Sequence, residues 1–321
     1  MPRTLFSSLA ARSLLKIIQM SVVMFAIMPA ALARAQIANY SSSENSATAL
    51  TNIDLLLNSI PGVNRDYLLN SNIADYNSDG ALTFAAFGDS ITRGVGDTYA
   101  VGDTVHKTDP IDVGEAGYPL RVETVMGINV FNLGDPGETL SEEGLVRFAE
   151  KIPNLRPDIV FIGGGSNDAF SWISESDFFR SAQTMINIAR ASGSFPILHS
   201  TPPSCCEHSG IATFTEGYNR QLETLAAVND LPFSNVNKGF TNTCKSSKCY
   251  LLNLPEGLHP NIEGYDVMGE VVMASLLNID LFAPNGPQSL ELALNLPPGS
   301  VKTVPDAVLS SNNAGISQQS D

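Results

Sequence analysis

"ALTFAAFGDSITRG" (residues 81–94) joins two patterns within fourteen residues. Its first eight positions are apolar almost throughout. A short apolar run without alternation marks a strand covered on both faces. Gly88-Asp89-Ser90 ends that run, and Asp or Ser ahead of a new segment is a helix cap. A buried strand that turns tightly into a helix is the opening half of a parallel β-α unit.

The same alternation repeats downstream. Apolar runs at "INVFNLG" (128–134), "DIVFIGGG" (158–165), "FPILHST" (195–201) and, more weakly, "LPFSNVN" (231–237) read as further strands. Helical stripes lie between and after them. One is Leu145, Phe148, Ala149 and Ile152, and a second is Phe178, Ala182, Met185, Ile186 and Ala189. Tyr218, Leu222, Leu225 and Val228 make a third, and Tyr265, Met268, Val272 and Leu276 a fourth. The expected fold is α/β: a three-layer sandwich around a five-stranded, mostly parallel sheet in flavodoxin-like order. Sites in such sheets form at the carboxyl ends of the strands, which is where the polar motifs of this chain fall.

Flanking segments read differently. Residues 1–35 carry Arg3, Arg12 and Lys16 ahead of the apolar stretch "IIQMSVVMFAIM" (17–28), then small residues at 31–35. That is a signal-peptide pattern, with an apolar core too short for an ordinary membrane span; a retained N-terminal anchor is the alternative. Export, secreted or periplasmic, is the expectation, without stable membrane insertion after cleavage. Residues 36–80 read as a linker or extension, 81–285 as the folded domain and 286–321 as a flexible tail. Formal charge is −15, and −19 without the leader. Such a surface repels polyanions, which disfavours nucleic acid or anionic lipid as a partner and suits neutral substrates.

Cys205, Cys206, Cys244 and Cys249 make an even set, which in an exported chain points to disulfides that staple loops, with the pairing open. Zinc, recruiting His199 and His208, is the lesser reading because no C-x2-C spacing is present. Asp75, Asn77, Asp79 and Gly80 match the opening of a calcium loop, yet Ala86 stands where the bidentate acid belongs, so a polar turn is the simpler account.

Several signatures are missing: G-x-S-x-G, H-E-x-x-H, the P-loop, and a complete dinucleotide fingerprint, since Tyr99 replaces the third glycine of "GVGDTY". What is present is a polar block at successive strand ends. "FGDSITRG" (87–94) puts Ser90 on a turn, and "NLGDPGET" (132–139) follows the second strand. "GGGSND" (163–168) follows the third, and "EGLHP" (256–260) precedes the last helix. Taken singly, each is a common turn.

In this order, the four blocks resemble those of the SGNH hydrolases, or GDSL esterases, over about residues 81–280. The resemblance implies Ser90 as nucleophile and His259 as base. It implies an oxyanion hole made by the Ser90 backbone, Gly137 (with Gly134 as runner-up) and the Asn167 amide. No metal or organic cofactor is implied. The family's last block reads D-x-x-H-P, whereas this chain has Glu256-Gly-Leu-His259-Pro. Glutamate adds one methylene and can still fold back on the ring. A Ser–His dyad with a backbone carbonyl behind His259, or Asp168 as the acid, are the alternatives. Asp89 is expected to brace the nucleophile turn, and Arg93 and the acidic stretch 95–116, with His106, to border the cleft or lie as surface loop.

The implied activity is hydrolysis of a neutral carboxylic ester through an acyl-enzyme, on a small-molecule or carbohydrate substrate, O-deacetylation of a sugar included. General carboxylesterase, lysophospholipase or transacylase activity, or a non-catalytic surface-binding role on the same fold, are the other readings.

Overall fold

The structure is a computed structural model, and it describes residues 70–97, 117–245 and 249–294. These fall in one of two compact units, Ala49–Asp321. The expected leader (1–35), most of the 36–80 extension, positions 98–116 with His106, and the end of the tail lie outside the described residues. Among the described residues, no helix is long and apolar enough to cross a membrane.

Strands β1 (Phe84–Gly88), β2 (Val130–Gly134), β3 (Ile159–Ile162), β4 (Phe195–His199) and β5 (Phe233–Ser234) form one sheet in the order β2-β1-β3-β4-β5. Every pairing is parallel. This is the expected flavodoxin-like order, with its topological switch between β1 and β3. The fifth strand is only two residues long, in keeping with its weaker apolar run.

Alternation along β1 explains why its sequence is apolar on both faces. Phe84 and Ala86 point into one core, with Tyr118, Phe240, Met268 and Val272. Ala85 and Phe87 point into the other, with Phe148, Phe178, Tyr218 and Leu222. The first core lies under α2 (Gly117–Met126), α7 (Val236–Cys244) and α8 (Ile262–Leu276). The second lies under α3 (Leu145–Leu155), α5 (Glu175–Ala191) and α6 (Ala212–Val228). Burying side chains such as Phe178 and Tyr218, which stack at 4.5 Å, stabilises by about 1.5–3 kcal/mol each. Two stripe positions depart from expectation: Ala149 and Val228 are exposed, because each sits at the edge of its helix's buried face.

Helix starts follow their caps. Asp89 accepts from Ile91 N (2.9 Å) to open α1 (Ser90–Arg93), and Gly94, in the left-handed region at φ 93°, closes it. Asn261 accepts from Gly264 N (3.0 Å) to open α8.

Three expectations need correction. The tail begins later than 286, because α9 (Leu290–Leu294) packs Leu290 and Leu294 into the first core and Leu290 N bonds Glu270 Oε1 (2.7 Å). The extension is already part of the domain by residue 72, where Asn72 N donates to Leu276 O (2.9 Å) and Tyr76 stacks on Phe195. Of the cysteines, only Cys244 and Cys249 form a loop staple, at the end of α7. Cys205 and Cys206, adjacent in sequence with sulfurs 2.7 Å apart, carry no bridge to that pair.

The Asp75–Gly80 stretch is a polar turn. Asp75 accepts from the N–H groups of Asp79 (3.1 Å) and Gly80 (2.9 Å), and Asp79 accepts from Ala81 N (2.9 Å). Ala86 is buried within β1. Asp158 holds the turn to the sheet by accepting from Thr83 N (2.8 Å) and Asn77 N (3.3 Å). Burial pushes its carboxyl up to about 6.

Candidate active site

Ser90 begins α1 two residues past the end of β1, with Asp89 as the cap between them. Close packing of backbone makes this turn possible. A Cβ at Gly88 would lie 2.3 Å from Thr92 Oγ1 and 2.4 Å from Gly163 O, and one at Gly134 would lie 2.2 Å from Arg93 N. Gly134 is thereby accounted for as a packing residue at the end of β2. Beneath the turn, Asp89 is buried, and its Oδ2 has no hydrogen-bond partner among the described residues. Burial raises its carboxyl to about 7, against the opposing Ile91 N–H bond.

The loop before α8 meets this turn. His259 Nε2 lies 2.8 Å from Ser90 Oγ, and His259 Nδ1 lies 2.7 Å from Glu256 Oε1. The second carboxylate oxygen, Oε2, accepts from the N–H groups of His259 (3.0 Å) and Leu258 (3.1 Å). Those bonds assign the ring tautomer: Nδ1–H donates to the carboxylate, leaving the Nε2 lone pair for the serine hydroxyl. Burial works to raise the Glu256 carboxyl, but the two backbone N–H bonds and the neighbouring imidazole outweigh it and hold it below the usual value. The extra methylene of glutamate is taken up by folding the side chain back over its own loop.

Asp168 is engaged elsewhere. Its carboxylate accepts from Leu140 N (2.8 Å) and Ser141 N (3.0 Å), opening the π-helical turn Leu140–Gly144 that leads into α3. It therefore does not orient His259. Asn167, the residue before it, donates from Nδ2 to Glu138 O (2.9 Å), which ties the ends of β2 and β3 together and leaves its second amide hydrogen to give. Gly137 is the third residue of the turn Asp135–Glu138, closed by Glu138 N to Asp135 O (3.2 Å). Its φ of 86° after a proline is the type II arrangement, which favours glycine at that position.

A family model for the GDSL-like lipase/acylhydrolase family matches residues 86–267. The chain belongs to that family. Membership supports an ester-hydrolysing enzyme. Among solved structures it resembles an acetyl xylan esterase variant from Geobacillus stearothermophilus. Identity is 19%, coverage 61% of this chain and 94% of that one, and the TM-score 0.50. It also resembles a lipase/acylhydrolase from Enterococcus faecalis, at 23% identity, 61% and 96% coverage and TM-score 0.50. At these identities the likeness speaks to the fold. No curated protein matches the chain at a significant level of sequence similarity.

Three supports of this GDSL-family site had no signal in the sequence blocks. Asn253 donates from Nδ2 to the carbonyls of Gly96 (3.1 Å), Pro260 (3.0 Å) and His259 (3.3 Å), and so pins the His259 loop to the segment after α1. An asparagine interrupting the apolar "YLLNLP" (250–255) is the one hint it leaves. Arg147 on α3 grips Glu138 through Nε (2.7 Å) and Nη2 (2.5 Å), reaches Gly88 O (3.3 Å), and lies over the Phe87 ring.

The third support is the segment 205–208. Cys205 N donates to Gly257 O (2.8 Å), and His208 Nδ1–H donates to Glu256 O (2.8 Å). Gly257, at φ 76°, approaches so closely that a Cβ would lie 2.5 Å from Cys205 O. His208 thus backs the acid-bearing loop. His199, its companion in the zinc reading, is buried at the end of β4, donating from Nδ1 to Ser200 O (3.2 Å) and accepting at Nε2 from Tyr118 Oη (3.1 Å). Burial drops its imidazole to about 4, so it stays neutral.

Proposed function

We propose that this protein is an exported serine esterase that cleaves a neutral carboxylic ester through an acyl-enzyme, with Ser90, His259 and Glu256 as its triad. The observation that carries the reading is the continuous relay from Ser90 Oγ through His259 to Glu256, at 2.8 and 2.7 Å. His259 Nε2 takes the hydroxyl proton as Ser90 attacks the ester carbonyl, and Glu256 stabilises the imidazolium that forms. The backbone N–H groups of Ser90 and Gly137 and the free hydrogen of the Asn167 amide receive the oxyanion. The imidazolium then protonates the departing alcohol. A water molecule, deprotonated by His259 in turn, releases the acyl group and restores Ser90.

An O-acetylated carbohydrate is the substrate class that best suits an acidic, exported enzyme. The acetyl xylan esterase among the structures of similar fold makes it a natural first substrate to try. Incubation with a fluorophosphonate should label the wild-type protein at Ser90, and Ser90→Ala should lose both the label and all turnover of 4-nitrophenyl acetate. Folded protein that takes no label, or a Ser90→Ala variant that still turns over ester, rules the serine mechanism out.

A further inference from the structure

Short helix α4 (Ser166–Phe170) carries Asn167 in its first turn and runs out into Ser171 and Trp172. Trp172 is the single tryptophan of the chain, is 75% exposed, and has φ 56°. A bulky residue in the left-handed region is strained in a way that glycine would avoid. An indole left mostly in water returns little burial to offset that strain. Residues that break local preferences without benefit to the fold are retained at functional positions.

The surroundings of Trp172 point the same way. Its ring meets Phe214 edge-to-face at 5.0 Å. Phe170, 45% exposed, meets His208 edge-to-face at 5.5 Å. His208 in turn bonds the Glu256 carbonyl. Two aromatic pairs therefore flank the end of the short helix that carries Asn167, and the one with Phe170 connects through His208 to the loop bearing Glu256 and His259. Two exposed acids sit close in sequence to these aromatic partners: Glu207 precedes His208, and Glu216 follows Phe214 by two residues on α6.

We infer that Phe170 and Trp172 form a sugar-binding subsite that holds the glycan portion of the ester while its acyl group lies at Ser90. The inference rests on the esterase reading and specifies its substrate. A pyranose ring offers one flat face of C–H groups to an aromatic ring and hydroxyls at its rim to carboxylates, which matches this surface. A nucleic acid would stack equally well but is repelled by a chain of net charge −15. An acyl tail needs a groove that removes it from water on all sides, whereas an indole this exposed covers one side only.

Because Trp172 is the only tryptophan, its fluorescence reports on this spot. Titrating the wild-type protein with unacetylated xylohexaose should change the emission saturably, with Trp172→Phe as the silent blank. No change up to about 10 mM sugar overturns the subsite. In parallel, Trp172→Ala should lower kcat/KM for acetylated xylohexaose at least about tenfold relative to kcat/KM for 4-nitrophenyl acetate, mainly through KM, and Trp172→Tyr should restore most of that ratio. An unchanged ratio, or a loss confined to 4-nitrophenyl octanoate, overturns the inference, the latter in favour of an acyl-chain site. If the wild-type protein hydrolyses neither ester, the esterase reading fails, and the fluorescence titration still decides whether sugar binds.

Discussion

The two halves of the candidate site are built differently. The half bearing Ser90, Gly137 and Asn167 is mounted on the ends of β1, β2 and β3, where glycines let backbones approach within a side chain's width. Its geometry follows from the sheet register. The half bearing Glu256 and His259 stands on the loop between α7 and α8, outside the five strands of the sheet. There, side chains add to the loop's own backbone bonds: Glu256 folds onto its own backbone, Asn253 reaches Gly96, and 205–208 braces the loop from behind through Cys205 N and His208. The carboxylates divide in the same way. Asp89, enclosed under the strand ends, is driven up to about 7, while the half-exposed Glu256, held by N–H groups, is driven down. A sheet can impose a buried charge's cost on a residue; a loop must secure its charge locally.

Glu256→Gln should have the largest effect of the variants that test this contrast. The amide cannot serve both as acceptor for Nδ1–H and as the counter-charge of the imidazolium, so kcat is expected to fall on the order of 10³-fold or more with little change in KM. Wild-type kcat in that variant, or in Glu256→Ala, would leave a Ser–His dyad and make the loop's self-bonding purely structural.

Asn167→Ala should come next, lowering kcat by about 10²–10³-fold through loss of an oxyanion donor. It also cuts the Glu138 tie between β2 and β3, so thermal unfolding must be measured alongside. A large fall in Tm with kcat per folded molecule unchanged would assign Asn167 to the scaffold instead.

Asp89→Asn should have the smallest effect on turnover, acting instead on stability. Asparagine keeps the helix cap and removes the buried charge. A folded-state carboxyl raised to about 7 from 3.8 binds its proton more tightly in the fold than in the unfolded chain. The native protein therefore loses stability as pH rises between those values, by up to about 4 kcal/mol. The variant should melt several degrees above wild type at pH 8, with the gap closing near pH 4. A gap independent of pH would mean that the charge of Asp89 is not what strains the strand-end half.

Much of this contrast was legible in the residues themselves. Near-continuous apolar strands and Gly-Asp-Ser, Gly-x-Asn-Asp and His-Pro blocks carry the fold and the candidate site residues, because period and turn chemistry are local properties. Ala149 and Val228 were misplaced because a helical stripe has soft edges that only the neighbouring layer defines. The tail boundary was misplaced because five residues, Leu290–Leu294, are too short a stripe to stand out. Cys205 and Cys206 were read as loop staples because an even count carries no distances.

By itself, the sequence determined the alternation of elements, the parallel three-layer class and the family, and it singled out Ser90, Asn167 and His259 as candidates for the site. Each of these is encoded in stretches of a few residues whose periodicity or turn preference acts locally. Only the tertiary structure decided that Glu256 reaches His259 while Asp168 caps a helix turn, and that Asn253, Arg147 and His208 hold the site. It also decided that Trp172 stands open beside it. The Glu256–His259 pair is only three residues apart and its spacing is visible in the sequence; the other outcomes rest mostly on contacts between residues tens to over a hundred positions apart, and on which of several available carboxylates the packed chain engages elsewhere. No local pattern carries that information.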